Sequence, residues 1–154
     1  MADVVSKETR SRMMAGIRGT NTAPEIALRK EMHAQGFRFR LHVGELPGRP
    51  DLVFPKYRAV FLVHGCFWHR HSKCRFTTTP ATNPAFWSAK FAGNVARDAR
   101  NLAKLHHAGW RTAIVWECEV RSGAARAAAP LARWLLSERP HIEIPAKPRY
   151  PDVG

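Results

Sequence analysis

RAVFLVHGCFWHRHSKC, residues 58–74, is the stretch on which the fold turns. Its first half contains AVFLV, an unbroken apolar run that suits a central strand covered on both faces. Its second half, His64 to Cys74, packs three histidines, two cysteines, Phe67 and Trp68 into eleven residues. Most of those side chains bind metals or move protons. The chain therefore runs from the middle of a sheet straight into a reactive segment at the end of a strand.

Working outward, FRFRLHV (37–43) and DLVF (51–54) read as two preceding strands, separated by Gly- and Pro-bearing turns. Thr22 followed by Glu25 fits a capping box for the helix APEIALRKEMHAQ, with Gly36 ending it. Before it, SKETRSRMMAGI (6–17) suits a short basic helix with Ser6 or Asp3 as N-cap. Downstream, Asn83-Pro84 reads as N-cap and first position of a long helix ending near Gly109. A strand is expected at 111–116 and a last helix at 124–138, with a kink or break at Pro130. The tail from Pro140, with four prolines, is expected to be irregular. The order α-α-β-β-β-α-β-α predicts a mixed central sheet flanked by helices, an α/β fold in one domain over 1–154.

The 154 residues are 45% hydrophobic, too apolar for a disordered chain. Lys and Arg number 25 against 12 Asp and Glu, a formal charge of +13. That surplus favours a polyanionic partner, most simply nucleic acid; the plainer alternative is a basic surface that aids solubility. No apolar run approaches a membrane span, and the N-terminus lacks a signal-peptide core, so a cytoplasmic protein is expected. Three cysteines make a poor disulfide framework and are better read as ligands or free thiols.

Cys66 follows one predicted strand and Cys118 another. If those strands are neighbours, Cys66, Cys74 and Cys118 meet at one end of the sheet. Three thiolates and one imidazole make a closed tetrahedral Zn²⁺ site of the structural kind. Spacing leaves open which of His64, His69 and His71 supplies the imidazole, and three unrelated buried cysteines are the alternative. Asp51, just after a Gly-Arg-Pro turn, would stand at a strand end facing a cleft, where a carboxylate can hold Mg²⁺. A spare histidine beside it could take a proton from an attacking water, which is chemistry for hydrolysing a phosphodiester. Each group also has a plainer role: Asp51 in a turn, Glu25 in the capping box.

These residues together resemble the very short patch repair (Vsr) endonucleases, DNA mismatch nicking enzymes. The resemblance spans about residues 2–136 and rests on ETRSRMM (8–14), LPGRPD (46–51), HGCFWHRH (64–71), PAT with FW (80–87), GNVARD (93–98) and GWRTAIVWEC (109–118). It implies a PD-(D/E)xK-type, restriction-endonuclease-like core with Asp51 as the Mg²⁺ carboxylate and the Val63 carbonyl as a second contact. It implies His69 as general base, His64 as a hydrogen-bonding partner and Glu25 supporting metal-bound water. One or two Mg²⁺ ions are expected, and Zn²⁺ falls to Cys66, His71, Cys74 and Cys118. The E-x-K of the nuclease class is missing from the third strand, so catalysis leans on histidine, as it does in this family. HRHSKC is one residue longer before its cysteine than the family spacing.

Phe67, Trp68 and Trp87 would ordinarily be core, but a loop rich in ligands and charge is a poor place to hide two large rings. Apolar wedges between base steps unstack and bend DNA, and a mismatch costs less to disturb than a matched pair. The resemblance implies that these three rings wedge in from the major groove, with Met14 and Ile17 entering from the minor groove. Lys90 and Asn94 share a helical face with Trp87 and match residues that contact the mismatched bases; by themselves they read as a solvated stripe. Arg97 and Arg100 are expected on phosphates.

The expected substrate is double-stranded DNA with a T:G mismatch left by deamination of 5-methylcytosine, nicked 5′ to the thymine. The implied setting is a bacterial cytoplasm, with a cytosine-5 DNA methyltransferase as functional partner. Mismatch-repair proteins are candidate partners, and a monomer is expected. The competing readings are a zinc-stabilised DNA-binding module without catalysis, and a nicking nuclease of broader mismatch preference.

Overall fold

The computed structural model describes residues 21–146. The predicted basic helix at 6–17, with Met14 and Ile17, lies outside those residues. Helix α1 (Ala23–Ala34) starts after the predicted Thr22 N-cap, with Glu25 reaching back one residue further than in a capping box. The Thr22 hydroxyl accepts from the Glu25 N–H at 3.4 Å, and the Glu25 carboxylate accepts from the Asn21 N–H at 3.2 Å. Strands β1 (Arg40–Leu41), β2 (Leu52–Phe54) and β3 (Ala59–His64) come next. A one-turn helix α2 (Cys66–His69) lies directly after β3. Helix α3 (Pro84–His107) then crosses to β4 (Arg111–Trp116). Two helices, α4 (Glu117–Ser122) and α5 (Ala124–Leu135), lead to β5 (His141–Ile144).

The five strands lie in the order β1-β2-β3-β4-β5. The first two pairings are antiparallel and the last two parallel. β3 occupies the centre, as its apolar run demands. Period-two alternation sorts the strand side chains into two cores. Leu52, Phe54, Phe61, Ala113 and Val115 pack with Leu28 and Met32 of α1 and Leu131 and Trp134 of α5. Val53, Val60, Leu62, Ile114 and Trp116 face the other way, with Leu105 of α3 and Cys66. Helices therefore cover both faces of a mixed sheet.

Three expectations change. The strand foreseen over 37–43 is only Arg40–Leu41; residues 37–39 and 42–43 carry no regular structure, and His42, at φ 47°, leaves the extended region. Pro130 does not break α5; the helix runs through it and ends at Leu135. The tail is not irregular throughout: residues 141–144 form β5, parallel to β4. Prolines at 140 and 145 bracket that strand rather than interrupt its ladder.

Arg111 ties this end of the sheet together. Its guanidinium donates to the Tyr57 carbonyl at 3.0 Å and 3.2 Å. It also donates to the carbonyls of Trp134, Leu135 and Arg139 at 3.0–3.2 Å. Four carbonyls near the C-terminus of α5 and the start of β3 thus share one planar cation.

Candidate active site and metal centre

The parallel pairing of β3 with β4 delivers residues 64 and 116 to the same end of the sheet. The segments just beyond those two strand ends carry the chemistry. Gly65 is the N-cap of α2, and the Cys66 N–H donates to the Glu117 carboxylate at 3.0 Å. That bond clamps the turn after β3 to the turn after β4.

Cys66, His71, Cys74 and Cys118 converge, with their ligand atoms all within 4.8 Å of one another. The His71 Nδ1 lies 3.4 Å from the Cys118 Sγ and 3.7 Å from the Cys66 Sγ. Stacking on Trp116, with ring centroids 4.2 Å apart, fixes the His71 ring. Burial pushes the Cys66 and Cys118 thiols up. Burial also acts on Cys74, but hydrogen bonds from the Phe76 N–H and the neighbouring thiols outweigh it and lower its pKa. Donors that crowd like this in a half-buried pocket fit a tetrahedral cation held by soft ligands. Among the three histidines, geometry brings His71 to the cysteines and leaves His64 and His69 elsewhere.

Those two line a cleft of about 820 Å³ together with Asp51, Glu25, Val63 and Asn94. Their rings stack at 4.0 Å with an interplanar angle of 5°. His64 is buried and its pKa lies well below the usual imidazole range, from desolvation first and the His69 charge second. The His69 Nδ1 meets the Asp98 carboxylate at 2.5 Å. The pair is about one-quarter exposed. An Asp that accepts from Nδ1–H leaves Nε2 of a neutral ring with its lone pair free.

Asp51 stands at the mouth of β2, and its Oδ2 accepts from the Val63 N–H at 2.7 Å. Burial raises its pKa from 3.8 to about 7; the Val63 bond opposes this, and the Glu25 charge adds to it. Glu25 is only 2% exposed. It touches the His42 Nε2, and the Arg29 guanidinium stands 3.6 Å away. Glu25, His42 and Asp51 bring their ligand atoms within 4.8 Å of one another.

The aromatics differ in exposure from the expectation. Trp68 and Trp87 are buried, packed with Phe91 and the half-buried Phe67 between α2 and α3. The segment is a helical turn and not an open loop, so α3 covers its rings. The Arg70 guanidinium lies 4.0 Å over Phe91 and donates to the Thr78 carbonyl at 2.8 Å. The Asn94 amide donates to the Trp68 carbonyl at 3.3 Å. Lys90 is half-buried, and Arg97 and Arg100 are exposed on α3.

Sequence reasoning missed Asp98 and His42. Asp98 continues the stripe Trp87, Phe91, Asn94 at helical steps of four, three and four, a signal that was there to read. His42 carried no such mark; only the pairing of β1 with β2 reveals it.

Carboxylates grouped beside an imidazole whose Nδ1 meets an aspartate, in a chain of charge +13, make a donor set suited to phosphodiester hydrolysis. Comparison with known proteins narrows this. The family model for DNA mismatch endonuclease Vsr matches residues 2–75. The Type II nicking enzyme V.XorIIP of Xanthomonas oryzae pv. oryzae is 49% identical over 120 residues, covering 78% of this chain and 88% of the relative. The DNA mismatch endonuclease Vsr of Escherichia coli is 47% identical over 121 residues, covering 79% and 77%. The Type II nicking enzyme V.NmeAIP of Neisseria meningitidis is 39% identical over 124 residues, covering 80% and 88%. This chain belongs to the Vsr family of DNA mismatch endonucleases. Among the described residues no helix is long and apolar enough to cross a membrane.

Proposed function

We propose that this protein is a Mg²⁺-dependent endonuclease that nicks duplex DNA 5′ to the thymine of a T:G mismatch. Such mismatches arise when 5-methylcytosine deaminates, so its functional partner is a cytosine-5 methyltransferase, and the nick starts a short repair tract. The whole chain acts as one nuclease unit of the PD-(D/E)xK type and works as a monomer. The observation that carries this reading is the meeting in one cleft of Asp51 with the His64–His69–Asp98 group.

Mg²⁺ would be held by Asp51 and the Val63 carbonyl, with Glu25 behind a bound water; the paired carboxylates fit a hard cation. When bound, Mg²⁺ would supply positive charge against the negative charge that builds on the phosphate and the leaving oxygen. The protein's own groups do the rest. His69 takes a proton from the attacking water at Nε2, because Asp98 occupies Nδ1. Asp98 also fixes the ring's direction. His64 stays neutral beside it, stacked face to face, and is free to hydrogen-bond the scissile phosphate. Zn²⁺ on Cys66, His71, Cys74 and Cys118 would brace α2, which carries His69, Phe67 and Trp68.

Phe67, Trp68 and Trp87 serve as the wedge, and Lys90 and Asn94 as contacts to the mismatched bases. Because Trp68 and Trp87 are buried against each other in the free protein, wedging calls for this cluster to open toward DNA. Base–aromatic stacking of about 1–3 kcal/mol per base offsets that rearrangement.

The test is nicking of a T:G duplex with and without Mg²⁺, alongside the Asp51→Ala protein. Mg²⁺-dependent cutting on one strand, lost in the variant, is the expected result. Mismatch binding with no cutting at any Mg²⁺ concentration would leave only a zinc-stabilised binding module. A panel of all mismatches measures how far preference extends beyond T:G.

A further inference from the structure

β1 and β2 pair antiparallel, with Arg40 opposite Val53 and Leu41 opposite Leu52. Extending that register by one residue sets His42 opposite Asp51. The ladder does continue: the His42 N–H donates to the Asp51 carbonyl at 3.2 Å. His42 has a left-handed backbone, with φ at 47°, which turns the chain out of the strand. Its imidazole enters the cleft between two carboxylates. Nε2 touches Glu25, and the donor atoms of Glu25, His42 and Asp51 lie within 4.8 Å of one another. Donors around one ion at about 2.1 Å are separated by roughly 3–4 Å, so a cation beside Asp51 would take Nε2 off Glu25 and draw it toward the Asp51 carboxylate, which already stands within 4.8 Å.

The geometry points to His42 as a nitrogen ligand of the catalytic metal beside Asp51, with Glu25 still behind a bound water. This rests on the reading that Asp51 holds that metal. Its consequence is a change of metal preference. Two carboxylates alone suit Mg²⁺, whereas an added imidazole favours transition ions such as Mn²⁺. The alternative is that the His42 ring serves only to hold the Glu25 carboxylate and never meets the ion.

The experiment uses the zinc-loaded full chain and Mn²⁺ as probe, read by pulsed electron paramagnetic resonance and by isothermal titration. His42→Asn is the variant of choice, because asparagine tolerates a left-handed backbone. Bound Mn²⁺ should show ¹⁴N modulation in the unsubstituted protein, replaced by a ¹⁵N signature when histidine is ¹⁵N-labelled. The modulation should vanish in His42→Asn, and the ratio of Mn²⁺ to Mg²⁺ affinity should fall about tenfold or more. Mn²⁺ binding that Asp51→Asn abolishes, but whose spectrum lacks ¹⁴N modulation or keeps it in His42→Asn, overturns the proposal and leaves the Asp51 reading standing. Mn²⁺ binding untouched by Asp51→Asn overturns the reading beneath it. The labelling readout needs no substitution, so a variant that fails to fold does not blunt the test.

Discussion

Replacing Asp51 by asparagine removes a charge yet keeps the acceptor that the Val63 N–H uses at 2.7 Å. In the folded protein without added Mg²⁺, burial raises the Asp51 pKa from 3.8 to about 7. Between those values the folded state holds a proton that the unfolded chain has lost. Folding then binds protons, so stability falls as pH rises through that window and the loss is complete above about pH 7. Three pKa units at 1.36 kcal/mol each set a ceiling of about 4 kcal/mol. Asp51 is partly open to the cleft, and water there lowers the figure to about 2 kcal/mol. For a domain of this size, about 2–4 °C accompanies each kcal/mol. The Asp51→Asn protein should therefore melt about 4–8 °C above the unsubstituted one at pH 8, with zinc retained and no Mg²⁺ added. The gap should close by pH 4, where the native carboxyl is already neutral. Adding Mg²⁺ should raise the melting point of the unsubstituted protein alone. Thermal denaturation followed by circular dichroism across pH 4–8 measures all of this. A variant that melts level with or below its parent at pH 8, or a gap that ignores pH, refutes the reasoning.

Other outcomes rest on particular contacts. Asp98→Asn should slow single-turnover nicking about 100-fold or more by releasing His69 from its orientation. Its melting point should move by only a few degrees, since a partly exposed polar contact of this kind contributes about 0–1 kcal/mol. Cys118→Ala should lower bound zinc, measured by elemental analysis, from one equivalent to less than half. It should also destabilise the fold by at least about 2 kcal/mol in urea, because α2 loses its brace. Arg111→Ala should cost about 2–4 kcal/mol by stranding four carbonyls, and Arg111→Lys should recover less than half of that because an ammonium lacks the planar fork. DNA affinity should fall steeply with salt, and Arg97→Ala and Arg100→Ala together should reduce the slope of log K against log salt by about two.

The chemistry-bearing residues were legible because chemistry restricts residue type. Cysteines in an odd number, histidines crowded behind an apolar strand, and an acid after a Gly-Arg-Pro turn each limit what the segment can do. AVFLV could only be buried on both faces, and it proved to be the central strand. The capping box and Asn83-Pro84 marked helix starts because orphan N–H groups need acceptors and proline needs a first-turn position. Weak, short elements were not legible. The sequence HIEI carries no strong period, and β5 exists because β4 offers it an open edge.

From its letters alone the chain set its α/β class, its central strand, its basic character and the residue types of the thiol cluster. Those depend on local patterning and on donor chemistry. Tertiary structure alone decided which histidine joins the thiols, that Asp98 orients His69, and that His42 faces Asp51. It also decided that Trp68 and Trp87 bury each other. Each of these is a meeting of side chains far apart along the chain, brought together by strand register and helix packing, and no local pattern encodes a distance of that kind.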